Sequence, residues 1–163
     1  MKTIQKMILM TGVALLALAS MNMSGCEKDE VIETVKILSL DISLRTGGDD
    51  LRQGSEALGT IGFKNGSNTS ISLNNSANWG NNSTNSASMT MPPNTEVGSL
   101  NWFKVNFTSG TGGFGSTGDN WNLDQIKITA RLSDGTNLIL VERTGAPLVR
   151  FTQNEVREYT VNF

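Results

Sequence analysis

Histidine is missing from all 163 residues of this chain, and cysteine occurs once, at Cys26. The first absence removes the commonest general base and the commonest metal ligand. The second excludes an intramolecular disulfide. Basic residues are few: 13 Lys and Arg stand against 15 Asp and Glu, a net charge of −2. With no basic stripe to neutralise phosphates, no nucleic-acid partner is expected. Long apolar runs are lacking too. Met7 to Ala19 is shorter than the ~20 residues a spanning helix needs. No stretch sustains helical periodicity, and no internal repeat is present. The serines have no Gly-x-Ser-x-Gly elbow. The glycine-rich Thr108 to Gly118 lacks a Gly-Lys-Ser/Thr and a following helix, which argues against a phosphate loop. Paired carboxylates such as Asp49-Asp50 could do acid–base work on a glycoside, but the sequence shows no second carboxylate facing them at the needed spacing. A non-enzymatic protein is the expectation.

What is present begins with a leader. Lys2 and Lys6 flank the start of the apolar run, and Ser20 to Gly25 are mostly small or flexible, as a protease cleft requires. Met23-Ser24-Gly25-Cys26 then resembles the lipobox of bacterial lipoproteins, although Met23 stands where that motif usually has Leu. The resemblance implies that Cys26 is lipidated, becomes the mature N-terminus and anchors the chain to a membrane. Glu27-Lys28-Asp29-Glu30 resembles the lipoprotein export signal of Bacteroidetes. It implies that Lys28, Asp29 and Glu30 direct the protein to the outer membrane and its cell-surface face. The expected organisation is a signal peptide over residues 1–25, a lipidated cysteine and charged tether over 26–36, and a β domain over 37–163. Without Lys2 and Lys6 the remainder keeps 11 basic residues against 15 acidic, a net of −4.

Within the β domain, Leu38, Leu40, Ile42 and Leu44 alternate with polar residues, the period-two mark of a strand with one buried face. Val31, Ile32 and Val35 could equally begin that strand. Thr46-Gly47-Gly48-Asp49-Asp50 ends it with glycines that allow positive φ. Ala57, Gly59, Ile61 and Phe63 share one side of a second strand, and Asn65-Gly66 signals a hairpin onto Ser70 to Leu73. An Asn-rich loop containing Trp79 leads to Ala87, Met89 and Met91, stopped by Pro92-Pro93. Phe103, Val105 and Phe107 face one way and Trp102, Lys104 and Asn106 the other. Ile126, Ile128, Ala130 and Leu132 follow the same rule. Ser133-Asp134-Gly135-Thr136 closes a hairpin onto Leu138 to Val141, apolar on both faces and so expected at a sheet centre. After Gly145-Ala146-Pro147, Tyr159, Val161 and Phe163 form a last strand. About eight short strands with turn signals between them predict an all-β, antiparallel sandwich.

Two places resemble the PLAT (lipoxygenase-homology) family. One is the strand ending in Thr46-Gly47, with acidic residues, Gly54 and a strand after it. The other is Trp121-Asn122-Leu123-Asp124-Gln125-Ile126-Lys127-Ile128. The resemblance implies two four-stranded sheets and non-catalytic docking to a membrane, lipid or protein partner, sometimes with calcium. Hard cations want several oxygen ligands, and two loops are rich in them. Asp49, Asp50, Asp119 and Asp124, assisted by Asn120 or Asn122, are the candidate calcium ligands. The PLAT-like arrangement would bring them to one rim, while Asx-turns are the other reading of the same residues. Trp102, Trp79 and Trp121 are candidates for stacking on a sugar ring, Trp102 foremost because it faces away from the core side of its strand. A carbohydrate-binding lipoprotein of a glycan-uptake system and a structural subunit of an outer-membrane assembly are therefore alternatives to the PLAT-like docking role.

Overall fold

A computed structural model of the chain describes residues 34–110 and 118–163. The leader, Cys26 and the Lys28-Asp29-Glu30 signal lie outside the described residues. The described chain forms β1 (Ile37–Thr46), β2 (Glu56–Phe63), β3 (Asn68–Ser72), β4 (Thr84–Thr90), β5 (Leu100–Thr108), β6 (Trp121–Leu132), β7 (Asn137–Phe151) and β8 (Glu158–Asn162), with one 3₁₀ turn at Val97–Ser99. The strands build two antiparallel four-stranded sheets, in the orders β4-β1-β6-β7 and β3-β2-β5-β8. The sheets face each other across one apolar core. This is the sandwich that the alternating patterns predict.

The alternation carries directly into packing. Leu40, Ile42 and Leu44 of β1 are buried, as are Phe103, Val105 and Phe107 of β5. Leu38 is the exception, 56% exposed although it sits in the apolar register. The β1–β6 pairing slips between Ile37 and Ser39. Such a bulge inserts one unpaired residue and reverses the facing on its far side. Ile37 therefore takes the inward position, and Val35 stays exposed ahead of the strand.

The two predicted hairpins share one design. Gly66 N–H donates to Phe63 C=O (3.0 Å) and Gly135 N–H to Leu132 C=O (3.1 Å), with φ of 85° and 84° at the two glycines. In each, the residue before the glycine accepts from the residue after it. Asn65 Oδ1 takes Ser67 N–H and Oγ–H, and Asp134 Oδ1 takes Thr136 N–H and Oγ1–H. The side chain thus closes the turn that glycine's positive φ permits.

β7 departs most from expectation. It lies at the edge of its sheet rather than the centre, with Ile139 and Leu138 exposed. It also continues past Gly145-Ala146-Pro147. The residues opposite Leu123 and Gln125 are Val149 and Thr144, so a wide bulge holds 145–148 against Asp124 alone. A bulged edge strand resists pairing with another chain. The continuation delivers Phe151, fully buried, to the core.

Strand direction sorts the loops. Thr46, Thr84, Leu123 and Phe151 meet at one end of the sandwich. That end carries the connections 47–55, 73–83 and 152–157, and the described flanks 109–110 and 118–120 of another. The opposite end carries both tight hairpins, residues 91–99 and the root of the N-terminal segment, where Ile37 N–H donates to Thr95 C=O (2.8 Å) and Lys36 ion-pairs with Glu96.

Candidate binding rim

The long-loop end is assembled on an aromatic keystone. Trp121, fully buried, stacks on Phe151 with centroids 5.0 Å apart, and Trp79 meets it edge-on at 5.9 Å. Trp121 Nε1–H donates to the buried Thr46 hydroxyl (3.2 Å), which supplies the partner a buried indole requires. Trp79 is 6% exposed, and its backbone pairs with Leu51 in both directions (2.8 and 3.0 Å). Neither ring can receive a sugar. The sequence makes both candidates because flat aromatics exposed on a sandwich can stack on sugars, yet each folds back to cap the core.

Trp102 differs. It is half-buried on the outer face of β5, opposite Gly62 of β2. A Cβ on Gly62 would overlap the indole, so the missing side chain makes room for the ring. Lys104 Nζ lies 5.7 Å from the ring centroid and 2.8 Å from Glu158. Thr60 and Ser70, on the next rung, share a hydrogen bond of 2.8 Å.

The six predicted oxygen ligands gather at one rim, though not as a cluster of carboxylates. Gly47 N–H donates to Asn122 C=O (2.8 Å) and Asn122 N–H to Asp49 C=O (3.1 Å), which zips the two loops together. The Asp49 carboxylate pairs with Arg150 Nη2 (2.9 Å), whose Nη1–H also reaches Asn122 Oδ1 (3.3 Å). Asp119, 2% exposed, uses Oδ2 to accept Arg52 N–H (2.9 Å) and Ser55 Oγ–H (2.6 Å). Its Oδ1 makes no hydrogen bond among the described residues and faces Arg52 Nε at 3.3 Å. Asp50 approaches the same Nε at 3.7 Å. Asp124 lies over Gly47, where a Cβ would collide with its carboxylate. Asn120 is half-exposed beside Asp119. Among the described residues no three Asp, Glu or Cys side chains converge as a metal would need. In this arrangement the donor set is matched to guanidinium groups and does not fit a calcium shell.

Several residues that build the rim were not foreseen. Arg52 and Arg150 offset part of its negative charge. Ser55 Oγ, while donating to Asp119, accepts Gly110 N–H (2.9 Å). Gly110 must be small, because a Cβ there would stand 2.7 Å from the Gly54 carbonyl carbon. Buried Asn74 accepts Ala57 N–H (3.0 Å) and donates to Ser55 and Ala77 C=O (2.9 and 3.0 Å). Adjacency of Asp50 and Arg52 was the only local signal. The other partners are distant in sequence.

No protein-family model matches the sequence, and no characterised protein matches it by sequence. Solved structures do match by fold. One is the alpha toxin from Clostridium absonum, at TM-score 0.58 and 16% identity over 83% of this chain. Another is the Clostridium perfringens alpha-toxin from an avian strain, at TM-score 0.56 and 16% identity over the same share. The chain spans about a third of the length of these toxins, 34% and 33%. The shared part is their C-terminal PLAT-like β-sandwich, so the fold of this chain is PLAT-like.

Proposed function

We propose that the chain is a surface-anchored, non-enzymatic docking lipoprotein whose long-loop end engages a lipid or membrane surface. The observation that carries this reading is the PLAT-like sandwich with its long loops gathered at the end opposite the N-terminal root. Sandwiches of this kind present loops as contact surfaces on a rigid scaffold. Vesicle flotation of the chain from Glu27 onward tests it. Binding should fall when the exposed Asn78 and Asn81 of the 73–83 loop are replaced by glutamate. Failure of the parent chain to float with any vesicle composition would remove the lipid reading. The anchor itself is tested with Cys26→Ser, which should abolish acyl labelling. Surface display is tested by protease treatment of intact cells, where alanine at Lys28, Asp29 and Glu30 should protect the domain.

A second reading, glycan binding, is favoured by Trp102 alone. Its ring lies on Gly62 with hydroxyl, amide and charged side chains on the neighbouring rungs. Indole faces stack on sugar rings, and the flanking groups would take the hydroxyls. A glycan array on the parent and on Trp102→Ala separates the readings. Signals lost in the variant would support this second one.

A further inference from the structure

We propose that Arg52 is the resident cation of the rim: its guanidinium stands between Asp50 and Asp119 in the place a divalent ion would otherwise fill. The loop end then assembles without metal. A buried carboxylate is costly unless paired and hydrogen-bonded. Asp119 is such a group, and among the described residues only its Oδ2 is hydrogen-bonded, by Arg52 N–H and Ser55 Oγ–H. Among the described residues the remaining oxygen has one cationic neighbour, Arg52 Nε at 3.3 Å, and the same nitrogen lies 3.7 Å from Asp50. Arg52 Nη1–H also reaches Gly118 C=O at 3.4 Å. Two carboxylates and a peptide carbonyl are the oxygens calcium selects. Here they line one side of a guanidinium that is half open to solvent, at separations roughly 1 Å longer than the ~2.3–2.6 Å of calcium–oxygen contacts.

Two further features fit this assignment. The Arg52 backbone is itself bonded to Asp119, so the cation is delivered by the loop whose charge it offsets and cannot diffuse away. Arg150 performs the same service for Asp49 at 2.9 Å. Of the four predicted carboxylate ligands, only Asp124 has no guanidinium at ion-pair distance among the described residues, and it is packed on Gly47. This inference does not depend on the docking role, because it concerns what holds the loops, not what they touch.

The experiment is thermal unfolding of the chain from Glu27, which retains the whole described core, in millimolar calcium and in chelator. The parent should show one midpoint in both. Arg52→Gln should unfold about 5 °C lower in chelator and regain part of the loss in calcium, as an unneutralised carboxylate pair takes up the ion. Arg52→Lys keeps the charge and should show no response to calcium. A calcium-dependent rise in the parent that disappears with Asp119→Asn would overturn the proposal. So would an Arg52→Gln variant that matches the parent in both solutions. If Arg52→Gln does not fold, the parent and Arg52→Lys decide: a calcium response in either counts against the assignment, and silence in both supports it.

Discussion

Gly62 and Trp102 show how much one missing side chain decides. The two face each other across the β2–β5 ladder, and the indole occupies the volume that a Cβ on Gly62 would take. Gly62→Ala should therefore push the ring into solvent. The expected cost is about 1–3 kcal/mol, the range for overpacking, with a red shift of tryptophan emission. Gly80→Ala, where a Cβ meets nothing within 4 Å, is the control. In a double mutant with Trp102→Ala the Gly62→Ala cost should vanish; simple additivity would mean the ring does not depend on the glycine. Asp134 offers a second test at this scale. Its carboxyl is held below the ordinary value of 3.8, first by the Thr136 hydroxyl and then by the Thr136 N–H. A depressed carboxyl contributes stability above its unfolded pKa and loses it as pH falls through the folded one. Thr136→Ala should raise the Asp134 pKa in a carbon-detected titration. Its stability deficit should be present at neutral pH and shrink once the solution falls below the ordinary carboxyl range. An unchanged titration would remove the hydroxyl as the cause. Of the residue-scale facts, the hairpin glycines and the outward Trp102 were legible, because each follows from its neighbours in sequence. The Arg52–Asp119 contact was not, because it joins positions 67 apart.

At the scale of elements, β1, β5 and β6 were legible because a sandwich strand with one wet face writes a period of two into the chain. The same logic misread β7. Leu138 to Val141 looks like a strand buried on both faces, yet its pairing slips where Ile128 and Thr129 oppose Val141 and Ile139. The slip turns Ile139 to solvent, 54% exposed, while Val141 stays inside. Whether a neighbouring strand covers an apolar residue is a property of sheet order, which no local pattern encodes. Phe151 was missed for a related reason: the proline-containing bulge separates it from the apolar run that would have announced it. Mutation should distinguish these positions sharply. Trp121→Ala removes the ring that Phe151, Phe107 and Trp79 pack against, and should cost about 3–5 kcal/mol. Ile139→Ser should lie within about 0.5 kcal/mol of the parent. Chemical denaturation measures both. An Ile139→Ser loss near that of Trp121→Ala would show that something covers the β7 edge in solution.

For the whole molecule, the decisive geometry is polarity along the strands. The N-terminal root enters β1 beside Thr95 and Ser133. The ten residues of β1 then carry the chain to the opposite end, about 30 Å away at the ~3.3 Å rise of a strand. The rim of Asp49, Arg52, Asp119 and Arg150 therefore lies at the end of the sandwich away from the point where Ile37 enters β1. We predict that, with Cys26 acylated, this rim reaches a second surface rather than the membrane that bears the anchor. Fluorescence transfer tests this on the lipidated protein in vesicles, since the sole native cysteine is consumed by the anchor. A dye at Lys64→Cys, in the hairpin end, should transfer strongly to a membrane probe. A dye at Asn81→Cys, in the long-loop end, should transfer weakly. Equal transfer from the two sites would mean that the charged tether lets the domain tumble, and stronger transfer from Asn81→Cys would mean that the rim folds back onto its own membrane. Either result would sink the outward orientation. Only the weak–strong order supports a domain that reaches from one surface to another.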